Sequence, residues 1–193
     1  MEKSRDVWTI SYLLNWTINY FKSKGIESAR LDAEVLLSHV LGQKRIYLYV
    51  HFDEPMEAKE LVKFREYVAK RARHIPVAYI LGQREFMGLD FKVTENTLIP
   101  RGDTENIVEE VIATIENSGY NNVLDMCTGT GAIAISVAHY TKAKVTASDI
   151  SSKALEVARE NAKILNADVN FIESDLFENI NENEFMYLVH SFY

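Results

Sequence analysis

Cysteine is almost missing from this chain. The single residue, Cys127, excludes an internal disulfide framework and fits a reducing compartment, the cytoplasm. No apolar run approaches the roughly 20 residues that span a bilayer, so no membrane-embedded helix is expected. The opening Met-Glu-Lys-Ser-Arg-Asp lacks the apolar centre of a secretory signal. The histidines at positions 39, 51, 74, 139 and 190 lack metal-ligand spacing, and one cysteine builds no thiolate cluster, so no metal is expected. No serine sits in a G-x-S-x-G elbow, and there are no repeats or low-complexity tracts. What remains has the composition of a soluble globular chain, with 47% hydrophobic and 25% charged residues.

The charge is divided unevenly. Residues 1–82 carry 13 Lys+Arg against 10 Asp+Glu, whereas residues 83–193 carry 8 against 18. An acidic second half is a poor grip for phosphates, so direct nucleic-acid binding is not expected. The basic residues Lys63, Arg65, Lys70, Arg71 and Arg73 read as a solvated helix face.

Periodicity separates two regions. Val7, Ile10, Leu14, Ile18 and Phe21 recur at helical spacing, closed by Gly25. Ser28 opens a second helix with Leu31, Val35, Leu36 and Val40 on one face and Gly42 after it. A short helix over 45–50 and a long one over 57–74 follow, the latter with Leu61, Phe64, Val68 and Ala72 inward. Residues 1–75 are therefore expected to form a helical bundle. Residues 76–105 read as a linker with a β-hairpin over 86–93 that turns near Gly88. Residues 106–193 alternate strand and helix, which means a parallel sheet with right-handed crossovers. Strands are expected over 123–126, 144–148, 169–172 and 185–189. The helix before them is expected to be capped by Asp103 or Thr104, with Ile107, Val108, Val111, Ile112 and Ile115 on its apolar face.

The chemistry concentrates at Val123-Leu-Asp-Met-Cys-Thr-Gly-Thr-Gly-Ala-Ile-Ala-Ile135, a strand, a glycine turn and a helix start. Gly129 and Gly131 let the backbone approach a ligand closely, and Thr128 and Thr130 add hydroxyls. Asp125 stands just before the turn, where a carboxylate repels a pyrophosphate and suits a cofactor bearing an amino or sulfonium cation. Asp149 ends the next strand, 18 residues beyond Gly131, at the distance of a carboxylate that accepts a ribose diol. Gly129-x-Gly131-x-x-Ala134 also satisfies the dinucleotide fingerprint, so a nicotinamide enzyme is the competing reading. After the third strand, Leu176 is the candidate apolar cover for an adenine ring and Asp175 a polar contact. Cys127 reads as a small packed residue where glycine is easy.

These residues resemble the HemK/PrmC family, which methylates a glutamine of bacterial peptide chain release factors. Leu98-Ile-Pro-Arg-Gly-Asp-Thr-Glu105 is similar to its L-I-P-R-P-[DE]-T-E signature with Gly102 in place of proline. Leu124 to Ile133 matches its cofactor motif, and Asp149-Ile-Ser-Ser-Lys-Ala-Leu155 its acidic-loop region. The resemblance implies an amino-terminal helical substrate-recognition domain and a Rossmann-like class I methyltransferase domain. It implies S-adenosylmethionine bound by Cys127, Thr128, Gly129, Thr130, Gly131, Asp149, Leu176 and Arg101, with Glu105 nearby. The implied reaction methylates the amide of glutamine in a Gly-Gly-Gln motif of class-1 release factors. The family's Asn-Pro-Pro-Tyr loop, which orients that amide, has no counterpart after the fourth strand; Ser191 stands where the asparagine belongs. No catalytic residue is assigned. The chain is expected to be a carboxyl-terminally incomplete enzyme with impaired transfer. The rival readings are a nucleic-acid amino-methyltransferase and a non-catalytic module that holds cofactor or release factor.

Overall fold

The structure, a computed structural model, describes residues 8–119, 121–181, 185 and 187–190, the last four in backbone only. The chain divides into two compact units, residues 1–81 and 82–193. The segment expected as a linker is shared between them.

In the first unit, α1 (Ile10–Ser23) begins where the Thr9 hydroxyl accepts the Tyr12 N–H, a side-chain N-cap. It stops at Gly25, whose φ of 73° lets Ile26 N–H close back on the Phe21 carbonyl. Helix α2 (Ala29–Leu41) follows Ser28 and ends on left-handed Gly42. The Ser28 hydroxyl donates to the Asp32 carboxylate instead of capping the backbone. The buried side of α2 is Ala29, Ala33, Leu36 and Leu37, while Leu31, expected inward, is half exposed. Small alanines set the helix phase here, and a search for large apolar residues misplaces it. Helices α3 (Tyr47–Val50) and α4 (Ala58–Arg71) follow, α4 opening on a capping box of Glu57 and Glu60. Phe64 and Val68 of α4 are buried as expected. Val7 lies outside the described residues. A further helix, α5 (Val77–Leu81), was not anticipated, because five residues are too few to show a period. Glu34 lies fully buried in this unit and accepts from Arg30 at 2.9 Å, from Arg45 at 3.1 Å and from Tyr49. Burial pushes its carboxyl up, but Tyr49 and the two arginines outweigh this and hold it below the usual range.

The second unit opens with a hairpin, β1 (Gln83–Phe86) and β2 (Leu89–Lys92). Its turn residues Met87 and Gly88 both take positive φ, 53° and 72°, as a two-residue hairpin turn requires. Helix α6 (Asp103–Ser118) is preceded by Gly102, with no side-chain cap from Asp103 or Thr104. Val108, Val111 and Ile115 are buried, but Ile107 is exposed. Strands β3 (Asn122–Met126), β4 (Lys144–Asp149), β5 (Val169–Glu173) and β6 (Tyr187–His190) form one parallel sheet in the order β5-β4-β3-β6. Helices α7 (Ala132–Tyr140) and α8 (Ser152–Ile164) make the crossovers. The sheet is α/β in class, as expected, and the fourth strand begins two residues later than its pattern indicated.

Alternation places the core. Val123 and Val145 join Phe86, Phe91, Val108 and Ile135 in one cluster, while Leu124 and Met126 pack with Ile180 in another. β3 is buried from Val123 to Met126 because it is an inner strand with both sides covered. The chain leaves β3 for β4 on one side and returns as β6 on the other. That reversal of direction opens a crevice at the carboxyl end of β3, where ligands of open α/β sheets bind.

Candidate functional site

The glycine turn hangs from the end of β3. Asp125, 1% exposed, accepts the Thr128 hydroxyl at 2.6 Å and the Ala134 N–H at 3.1 Å on Oδ2. Its other oxygen, Oδ1, has no partner among the described residues. Burial pushes this carboxyl up to about 7, against the two hydrogen bonds and with help from the Asp149 charge. The sequence reading set this carboxylate facing a cationic cofactor. The structure turns it inward, where it holds the loop to the start of α7.

Asp149 ties the loop to β4. Its Oδ2 accepts the Gly129 N–H at 2.9 Å and its Oδ1 accepts the Ser151 N–H at 2.9 Å. The side-chain cap of α8 is the Ser151 hydroxyl, which accepts from Ala154, while Asp149 holds the backbone N–H of that capping residue. The two glycines differ. A Cβ on Gly129 meets nothing within 4 Å, whereas one on Gly131 comes to 2.7 Å from Ile135 Cδ1 and 3.2 Å from Ala158 Cβ. Gly129 faces open space, and Gly131 allows α7 to pack against α8.

Cys127 has φ 60°, a conformation that glycine adopts without strain. It is exposed, which corrects the expectation of a packed residue. Partial desolvation, then Asp149, Asp125 and Asp175, push its thiol up, so the thiolate is disfavoured.

A cleft brings Arg101, Cys127, Thr128, Gly129 and Thr130 together, walled by Phe86, Leu98, Ile99 and Pro100. Four of these belong to the segment before α6 and three of the remainder are loop residues flanking Gly129. Asp149 reaches the loop through Gly129. Leu176 does not line this cleft; it sits half exposed on the turn after β5 with φ 47°, its carbonyl accepting from the Ser174 hydroxyl.

Two supports escaped the sequence reading. The Glu105 carboxylate accepts the Met87 N–H at 2.9 Å, while the Tyr140 hydroxyl donates to the Met87 carbonyl at 2.6 Å. Together they pin the hairpin turn and with it Phe86. Asn161, fully buried on α8, donates to the Thr130 carbonyl and pairs with both backbone groups of Lys92. The available signal was a polar residue at a buried phase of α8. Among the described residues no cluster of three or more His, Cys, Asp or Glu could hold a metal, and no helix is long and apolar enough to cross a membrane.

Comparison with known proteins adds to this geometry. Residues 12–82 match the PrmC N-terminal domain and residues 106–191 the methyltransferase small domain. The chain is 43% identical over 191 residues to the release factor glutamine methyltransferase of Rhodopirellula baltica, covering 95% of this chain and 64% of that protein. It is 43% identical to that of Geobacter sulfurreducens (98% and 66%) and 44% identical to that of Leptospira interrogans (94% and 65%). The chain thus spans just under two thirds of the length of these three relatives. Among solved structures, a tRNA (uracil-54, C5)-methyltransferase of Pyrococcus abyssi in complex with S-adenosyl-L-homocysteine is similar at 25% identity, over 48% of this chain and 23% of that one, with a TM-score of 0.42.

Proposed function

Since this chain belongs to the HemK/PrmC family, carrying its amino-terminal domain and its methyltransferase domain in order, we propose that the second unit binds S-adenosylmethionine in the cleft beside Gly129. We propose further that the protein's reaction is methylation of the glutamine side-chain amide in the Gly-Gly-Gln motif of class-1 release factors.

The observation that carries this reading is the Asp149–Gly129 hydrogen bond at the carboxyl end of β3. It fixes a side-chain-free backbone segment, with open space beside it, at the sheet's reversal point. The residues present fit the cofactor. Arg101 offers a cation for its carboxylate, and Asp149 retains acceptor capacity for a diol beyond its two backbone bonds. Phe86, Leu98 and Pro100 give the cleft an apolar wall. The acidic balance of the second half disfavours a pyrophosphate-bearing dinucleotide. Cys127, Thr128, Thr130 and Gly131 complete the proposed loop, and Leu176 a more distant contact.

When bound, the cofactor supplies an electrophilic methyl group on a sulfonium. The protein's part is positioning: an amide nitrogen is a poor nucleophile, so rate comes from holding it in line and from groups that accept its protons. The 193 residues contain no Asn-Pro-Pro-Tyr sequence, and Ser191 lies outside the described residues.

Calorimetric titration of the whole chain with S-adenosylmethionine, and with NADH in parallel, tests the cofactor. Saturable binding of the methyl donor alone is expected; binding of NADH alone would overturn the assignment. A methyl-transfer assay on release factor tests the substrate: labelling of the Gly-Gly-Gln glutamine is expected, and labelling of nucleic acid instead would refute it.

A further inference from the structure

The first unit holds a feature that cofactor binding does not use. Between α1 and α4 lies a cavity of about 340 Å³, within the size range of ligand pockets. Its walls are Trp8 just before α1, Trp16 and Tyr20 along α1, and Leu61, Phe64 and Val68 along α4. Trp16 and Tyr20, four residues apart on α1, stack at 5.2 Å, and Trp8, just before the helix, meets Trp16 edge to face at 6.3 Å. Trp16 nonetheless stays 46% exposed. A large ring held by neighbours yet open to water is a typical anchor-receiving surface.

Charge at the rim selects the occupant. Arg65 lines the cavity, Arg73 donates to the carbonyl of the lining residue Ala69, and Lys24 lies over the Tyr20 ring. None of the three forms an ion pair with a carboxylate among the described residues. The lining Thr17 hydroxyl is fully buried and has no hydrogen-bond partner among the described residues. An apolar groove with unpaired cations at its edge complements an apolar side chain flanked by carboxylates.

We propose that this groove docks an acidic, amphipathic segment of a protein partner, whose apolar side chain enters between Trp16 and Phe64 while its carboxylates meet Arg65, Arg73 and Lys24. The proposal is independent of cofactor binding, because it concerns only the first unit.

The chain has two tryptophans, and both line this groove, so tryptophan emission reports on it directly. The test is selection of randomised 12-residue peptides on the whole chain, followed by titration of the enriched peptides with that readout. Enrichment of net-negative peptides with an apolar anchor, whose binding shifts tryptophan emission saturably, is the expected result. Their affinity should fall at least about tenfold in Arg65→Glu and on replacing the anchor by serine, and should weaken with salt. Circular dichroism of Arg65→Glu checks that the bundle is intact, and Lys24→Glu serves as a second variant. No enrichment, enrichment of neutral or basic peptides, or indifference to both charge reversals would each overturn the proposal. So would tighter binding of a single-stranded oligonucleotide, which would point to base stacking on the same rings.

Discussion

The buried Asn161 amide donates through Nδ2 to the Thr130 carbonyl at 2.9 Å and to the Lys92 carbonyl at 3.0 Å, and its Oδ1 accepts the Lys92 N–H at 2.8 Å. One α8 side chain thus ties the glycine loop to the edge of the hairpin. Both walls of the candidate cleft are set by it: the loop through Thr130, and Phe86 through the strand pairing of the hairpin.

Asn161→Ala should therefore cost about 3 kcal/mol, because one buried and two partly buried backbone groups lose their partner. Asn161→Asp should not rescue it, since a carboxylate accepts from Lys92 but donates to nothing. Urea unfolding measures both. A loss below roughly half a kcal/mol, the range of ordinary surface changes, would mean that water replaces the side chain.

The two loop glycines should respond differently to the same methyl group. Gly129→Ala places a Cβ in open space at φ 57°, so only the left-handed conformation is penalised, by about 1 kcal/mol. Gly131→Ala adds a 2.7 Å approach to Ile135 at φ 80° and should cost about 3 kcal/mol or prevent the loop from closing. Equal losses in thermal or urea unfolding would contradict this division of roles.

Asp125 should make stability depend on pH. Its carboxyl is raised from 3.8 to about 7 in the folded chain, so between those values the folded state keeps a proton that the unfolded chain has released. The stabilisation is complete below about 4 and is lost as pH rises through 7, on the order of 4 kcal/mol in total. Asp125→Asn keeps an oxygen for Thr128 and Ala134 and removes the titration. Urea midpoints at pH 5 and pH 8 should differ much less in Asp125→Asn than in the unaltered chain; an identical slope would remove Asp125 as the source.

Much of the fold was legible because periodicity reports burial. The 3.6-residue repeat of Ile10, Leu14 and Phe21 and the unbroken apolar run of β3 each follow from which sides are covered. The misreadings share a cause. The size of Leu31 and Ile107 points them inward, yet alanines on α2 and a narrower stripe on α6 decide which side packs. Helix α5 is shorter than the window in which a period can be recognised.

At the site, the sequence by itself determined the local chemistry: two glycines where the backbone must take positive φ, an acid at the end of each of two neighbouring strands, and a capping serine after the second. These are properties of residues close in the chain, and short-range sterics suffice to read them. Only the tertiary structure decided that Asp125 turns inward to Thr128 while Asp149 reaches Gly129, that Leu176 stands apart from the cleft, and that Asn161 joins loop to hairpin. Those outcomes depend on which element packs beside which, and a hydrogen bond between residues 31 positions apart, Asn161 and Thr130, leaves no mark on the local pattern of either.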